Sequence, residues 1–306
     1  MTVKATILGQ EITLTYNSQT GKYEASVTAP TASSYQNNEG HYFPVSVTAT
    51  DEAGNSTTIS DVAGSFTEKL KLYVKEQIKP TVSGMTPSSG ANIATANPTI
   101  EFNILDNSNG QTSGFSGVNP DSVVLSVGGV AVDSSLITKT PITGGYKCSY
   151  TPSAALADGN CTVSAKVSDF DGNESDTVTV TFKIDTAPPV LQITYPENGT
   201  YVNDGTLTVL GKTSDITSSP VTVTVKVGDV DQGEVTVAED GSFSKQITLG
   251  DGLNTITVQA KDSAGQISTV TRTVTLKTTL PVFTSVEIAP NPVDSGKTYT
   301  ISVAVS

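Results

Sequence analysis

The chain has 306 residues, with 30 acidic against 17 basic side chains, a formal charge of −13, 36% hydrophobic residues and no Trp. That length exceeds one small sandwich domain and fits two or three domains. The acidic balance and the lack of any Lys/Arg run exclude phosphate backbones, so no nucleic-acid partner is expected. Thr, Val, Ser, Gly and Asp dominate, the composition of β-strands joined by tight turns. The expectation is an all-β protein with no membrane span, because no apolar run is long enough to cross a bilayer. With Met1 as the native start, the opening residues alternate like a strand and carry no charged-then-apolar leader, so a cleaved signal peptide is not expected.

In chain order, TVKATILGQEITLTY (Thr2 to Tyr16) reads as a strand pair, and TGKYEASV (Thr20 to Val27) sets a Gly turn before Tyr23. VTATDEAGN (Val47 to Asn55) is a strand that ends in Asp51, with Gly54 three residues later. Asp bonds the turn backbone and Gly takes the positive φ that closes the hairpin. Residues Ser56 to Phe66 have no counterpart further on and read as a lengthened loop. KPTVSGMTPSSG (Lys79 to Gly90) is then a joint. After it come a polar loop, DNSNGQTSGFSGVN (Asp106 to Asn119), and a second Gly-aromatic hairpin, TGGYKCSY (Thr143 to Tyr150). TPSAALADG (Thr151 to Gly159) reads as a single helical turn, and AKVSDFDGN (Ala165 to Asn173) is the second Asp turn.

VTVTFKI (Val178 to Ile184) and VTVTVKV (Val221 to Val227) alternate with the period of two, one face apolar and the other Thr or Lys, as a two-layer sandwich requires. A second joint, PPVLQITYPENG (Pro188 to Gly199), precedes the third Gly-aromatic hairpin, DGSFSKQI (Asp240 to Ile247), and the third Asp turn, VQAKDSAGQ (Val258 to Gln266). A third joint, LPVFTSVEIAPNP (Leu280 to Pro292), follows. The Asp turns recur at intervals of about 100 residues, the size of a sandwich domain. Pro80, Pro188, Pro189 and Pro281 restrict φ at the joints, which predicts domains at 1–78, 79–187 and 188–279, set in line as an elongated rod. Residues 280–306 read as the first strands of a further domain or as a strand-exchange segment.

The ATDEAGN pattern, the DTAPPV joint (Asp185 to Val190) and SGVNPDSV (Ser116 to Val123) resemble the bacterial immunoglobulin-like (Ig-like) domain families. Those families occur in surface adhesins, secreted multidomain enzymes and tailed-phage virions. The opening Ala5 to Ala25 and the stretch Pro290 to Val305 are similar to Ig-like proteins encoded near tail genes in Gram-positive prophages. The resemblance covers nearly the whole chain. It implies tandem Ig-like β-sandwiches at a virion or on the bacterial cell surface, extracellular and non-enzymatic. The implied partners are bacterial surface glycans or proteins, together with other virion or surface proteins. It carries over no catalytic residue, and the fold hosts many unrelated roles.

The candidate sites are few. The single histidine, His41, lies in a loop with no nucleophile or carboxylate around it in sequence, so a Ser-His-Asp arrangement is not expected. SGKT (Ser295 to Thr298) echoes the end of a P-loop, but Asn291 stands where that motif needs Gly and a strand follows. No cofactor is required. Calcium is the one the residues can be read to invite, with Asp169, Asp171 and Asn173 alternating in a turn and Asp185 opening the next joint. The competing reading is that these residues only build the hairpin, and Ala53 and Ala264 standing where Asp171 does favour it. Cys148 and Cys161 share parity with apolar neighbours and read either as an inter-sheet disulfide or as two buried thiols. Phe115, with Asn107 and Asn109, is the candidate ligand-binding set, an aromatic amid amides that suits sugar stacking; a solvated connection is the alternative. Finally, the first domain lacks the opening strand pair of the later ones, and Val282 to Val305 is such a pair. This pair reads either as completing the first domain of another copy by head-to-tail strand addition, or as the start of a domain cut short, beside a first domain that manages with fewer strands.

Overall fold

The computed structural model of the chain describes residues 1–106 and 114–306. It divides into two compact units, Met1–Asp185 and Thr186–Ser306. Almost all regular structure in the described residues is β, and the helical pieces are single 3-10 turns at Thr67–Leu70, Pro120–Ser122 and Ser134–Leu136.

The first unit opens with a six-stranded antiparallel sheet made of β1 (Thr2–Ile7), β2 (Gln10–Asn17), β3 (Lys22–Glu24), β4 (Phe43–Thr50), β5 (Ser56–Ser60) and β6 (Lys71–Leu72). The order is β3-β2-β1-β4-β5, with β6 also paired to β4. Leu8 and Gly9 both take positive φ, 50° and 76°, which gives the two-residue hairpin its right-handed twist. Ser56–Ser60 is a strand paired to β4 and not part of a lengthened loop. Its Thr and Ser side chains meet those of β4, with Thr48 Oγ1 2.8 Å from Thr58 Oγ1 and Thr50 Oγ1 2.8 Å from Ser56 Oγ.

The rest of the unit is a sandwich of β7 (Thr81–Thr86), β8 (Asn92–Ile93), β9 (Ile100–Leu105), β10 (Val124–Val127), β11 (Val130–Val132), β12 (Thr138–Ile142), β13 (Gly145–Tyr150), β14 (Gly159–Lys166) and β15 (Val178–Ile184). One sheet runs β12-β13-β9-β7 and the other β11-β10-β14-β15-β8, with only β8 and β15 parallel. Alternate residues point inward: Ile100, Phe102 and Ile104 from one sheet meet Leu125, Val163, Phe182 and Ile184 from the other, all buried. The stretch 151–158 is irregular where a helical turn was expected. Leu156 N–H bonds Ala96 O at 2.9 Å and Asn97 Nδ2 bonds Pro152 O at 2.8 Å, so a neighbouring loop, not a helical turn, engages this backbone.

The second unit repeats the plan with β16 (Val190–Tyr195), β17 (Thr200–Val202), β18 (Thr206–Ser214), β19 (Thr222–Val227), β20 (Val230–Val235), β21 (Ser242–Thr248), β22 (Gly252–Lys261) and β23 (Ile267–Leu276). Its sheets are β16-β18-β21 and β17-β23-β22-β19-β20, around Val209, Val223, Val225, Ile256, Val258 and Val274. β24 (Phe283–Ala289) and β25 (Thr300–Val305) form a separate two-stranded sheet whose residues are exposed on both faces.

Superposing the plans explains the first sheet. β1, β2, β4 and β5 connect and pair as β19, β20, β22 and β23 do. Opposite them the later sandwiches place a second sheet, β9 with β13 or β18 with β21. The Gly-aromatic strand β3 has no such partner and pairs with β2 instead. The consequence is a core covered on one side. Val223, Val225, Val258 and Ala260 are fully buried; of the residues in matching places Val3 is buried too, but Ala5, Val47 and Ala49 are only half-buried.

Candidate functional site

The Asp turns share one geometry. In each, the Asp side chain accepts the backbone N–H four residues on: Asn55 N–H to Asp51 Oδ1 at 2.8 Å, Asn173 N–H to Asp169 Oδ1 at 2.8 Å and Gln266 N–H to Asp262 Oδ1 at 2.8 Å. Gly54, Gly172 and Gly265 sit at φ of 90°, 94° and 99°, where a side chain would be strained. Asp169 and Asn173 thus do build the hairpin, and Asn173 Nδ2 adds a 2.7 Å bond to Asp169 Oδ2.

The middle turn has an environment the first turn lacks. Asp51 is exposed, but Asp169 is 2% exposed and two further buried acids reach it. Glu76, 6% exposed, comes from the segment that leaves the first sheet after β6, and Asp106, 2% exposed, follows β9 directly. One carboxylate oxygen from each of Glu76, Asp106 and Asp169 lies within 4.8 Å of the others. Hydrogen bonds fix their orientation. Glu76 Oε2 accepts the Ile78 N–H, and Glu76 Oε1 accepts Asn173 Nδ2 at 3.1 Å, with Ser116 Oγ 3.5 Å away. Asp106 Oδ2 accepts the Gly117 N–H at 2.7 Å, and Asp106 Oδ1 is buried with no hydrogen-bond partner.

Burial pushes the Glu76 carboxyl up to about 7, with Asp169 and Asp106 adding to the rise and the Ile78 N–H opposing it. Burial likewise pushes Asp106 up to about 6, helped by the charges of Asp169 and Asp171 and opposed by the Gly117 N–H. The other expected calcium residues fall elsewhere. Asp171 accepts the Glu76 N–H at 3.0 Å and its carbonyl takes Lys75 Nζ at 3.0 Å, so it docks the segment. Asp185 is buried just past β15 and is not in this group, because it lies a full strand beyond the turn. Glu76 and Asp106 escaped the sequence reading. Asp106 left a trace, since Asp215 follows β18 as Asp106 follows β9; Glu76 left none.

Around this cluster the segment before β4 packs on the turn. Tyr35 stacks between His41, centroids 3.9 Å apart, and Phe170, 4.5 Å apart, and Gln36 Nε2 donates to Ser116 O at 2.5 Å. His41 Nδ1 lies 2.6 Å from the Tyr35 carbonyl, so that nitrogen carries its hydrogen. Phe115 is 8% exposed, and its buried ring offers no face for a sugar to stack on. Its expected companions, Asn107 and Asn109, lie outside the described residues. Cys148 in β13 and Cys161 in β14 belong to opposite sheets and both are buried free thiols, so no disulfide joins them. SGKT lies between β24 and β25 and leads into a strand.

Residues 93–186 match the model of the bacterial Ig-like domain, spanning strands β8 to β15. The chain carries a bacterial Ig-like domain. Residues 189–278 match glucodextranase, domain B. Among solved structures the chain is similar to the fibronectin(III)-like modules of Clostridium thermocellum CbhA, at 17% identity over 64% of this chain and 94% of that one, TM-score 0.40. It is also similar to Sidekick-1 immunoglobulin domains 1–5, at 14% identity over 100% of this chain and 60% of that one, TM-score 0.38. No curated protein matches it. No helix among its described residues is long and apolar enough to cross a membrane.

Proposed function

We propose that this tandem Ig-like protein is a non-enzymatic, exposed binding and spacer module that works at a virion or on the bacterial cell surface, and that attaches to surface glycans or proteins. The observation that carries the reading is how its fold spends its reactive groups. The histidine is locked against Tyr35, both thiols are packed in a core, the buried carboxylates Glu76, Asp106 and Asp169 are held by amide donors, and the Ser116 hydroxyl beside them is buried and accepts the Asp171 N–H. A phage or prophage particle is the setting we favour, on the strength of the opening and closing stretches that resemble prophage tail-region proteins. A repeat segment of a surface adhesin, or an accessory module of a secreted multidomain enzyme, is the second reading, and the match of residues 189–278 to glucodextranase domain B favours the enzyme accessory.

The test is to incubate the labelled chain with Gram-positive cells, purified cell walls and a glycan array that includes dextrans. Retention on cells or walls without release of reducing ends is the expected result. New reducing ends overturn the non-enzymatic reading. Retention on dextran alone moves the assignment to the enzyme accessory, and no retention anywhere leaves spacing and sinks attachment.

We also infer a homotypic partner, a second copy whose β24–β25 hairpin lies over the half-covered first sheet. Its support is the one-sided core of β1 and β4 and the apolar exposure of Val286, Ile288, Ile301 and Val303.

A further inference from the structure

We propose that Glu76, Asp106 and Asp169 hold a calcium ion, which ties the segment leaving the first sheet to the turn and loop of the following sandwich. Three observations combine. The three carboxylates come from three separate stretches of chain, all are buried, and their nearest oxygens converge within 4.8 Å. Carboxylates this close cannot all stay ionised unaided, so the cluster must take up either protons or a cation. Asp106 adds the observation that points to a cation: its Oδ2 is taken by Gly117, and its Oδ1 is buried without a hydrogen-bond partner. A buried acceptor left without a donor is destabilising, and a bound cation cancels that loss.

The donor chemistry selects the ion. The group contains carboxylate oxygens and no His or Cys, a hard set that suits calcium or magnesium and not zinc. Calcium binds oxygen at about 2.3–2.6 Å, so two ligands on opposite sides of one ion stand up to about 5 Å apart, whereas magnesium draws them to about 4 Å. Oxygens that all lie within 4.8 Å of one another can share one calcium ion, whose flexible shell accepts the rest of its ligands from water. The N–H groups of Ile78, Gly117 and Asn173 already orient all three side chains, so the ion meets a formed site. The four residues expected from the sequence shared only Asp169 with this set. Asp171 is spent on the Glu76 N–H, and the Asn173 amide donates where a ligand would have to accept.

The experiment uses the full chain, stripped with chelator and titrated with calcium alone while melting and backbone amide resonances are followed. The expected result is a rise in melting temperature of several degrees for the first unit. Amide shifts should centre on Ile78, Gly117 and Asn173 and spare Asn55 of the exposed Asp turn. Asp106→Asn keeps an oxygen for the Gly117 N–H, and it should weaken calcium binding at least ten-fold, as should Glu76→Gln. Asp51→Asn should leave the titration unchanged. The proposal is overturned if calcium up to about 10 mM, beyond the range of extracellular calcium modules, moves none of those three amides. It is overturned equally if folded Asp106→Asn and Glu76→Gln chains respond as the parent does. Should either variant fail to fold, the amide shifts of the unmodified chain still decide.

Discussion

Cys148 and Cys161 show how far a side chain's surroundings set its chemistry. Burial pushes the Cys148 thiol up to about 11, against a small opposing pull from Lys139, and burial also raises Cys161. A thiol must ionise and be reached before it reacts, and neither condition holds for these two. The native chain at pH 8 should therefore resist iodoacetamide at both positions and take two labels once unfolded; fast labelling of the folded chain would contradict the burial. Glu76 gives a second prediction at the same scale. Its folded carboxyl titrates near 7, up from an ordinary 4.5, so between those values the folded chain keeps a proton that the unfolded chain has lost. Folding then takes up protons, and the stability of the cation-free first unit must fall as pH rises from about 5 to 7, by roughly 2 kcal/mol. Asp106, raised from 3.8 to about 6 by burial and further by the charges of Asp169 and Asp171, acts in the same direction at lower pH. Melting in chelator at pH 5 and pH 7.5 checks this: the higher pH should melt lower, and Glu76→Gln should flatten most of the difference.

At the scale of strands, two valines in matching places measure what a second layer is worth. Val258 of β22 lies opposite Val225 and is fully buried, whereas Val47 of β4 lies opposite Ala5 and is half-buried. Val258→Ala should cost its unit about 2–3 kcal/mol, because it leaves a cavity between two sheets, and Val47→Ala about 1 kcal/mol or less. Equal losses by thermal melting would mean the first sheet is as well covered as the second unit. The alternation of VTVTFKI and VTVTVKV and the Asp-x-x-Gly turns were legible because a strand's period and a turn's φ are local properties. What failed was whatever depends on distant chain. Phe115 looks solvated among Ser and Gly, yet it is buried. Thr151 to Gly159 has a helical look, but residues 96 and 97 claim its backbone groups. The carboxylate cluster was one-third legible: Asp169 announced itself by its turn, while Glu76 and Asp106 gain meaning only when three remote stretches converge.

At the scale of the molecule, two partial layers of opposite kind occur in one chain. The first sheet presents the face that, in the second unit, is buried under β16, β18 and β21. The β24–β25 hairpin has the antiparallel pairing of β16 with β18, and its Val286, Ile288, Ile301 and Val303 stand in solvent. Each surface alone is costly, since apolar side chains at about 25 cal/mol per Å² and open strand edges both favour association. A hairpin from a second copy laid on the first sheet covers both at once. The contact is heterologous, head to tail, and so extends or closes into rings according to its rotation. The expected outcome is a mass that rises with concentration in sedimentation or light scattering. Removing residues 280–306 should return the chain to monomer at every concentration, and Val286→Asp with Ile301→Asp should do the same without shortening it. The hairpin face should also protect the first sheet, so amide exchange in β1 and β4 should slow as the concentration rises. A chain that stays monomeric at millimolar concentration, with exchange in β1 and β4 unchanged, rules the pairing out.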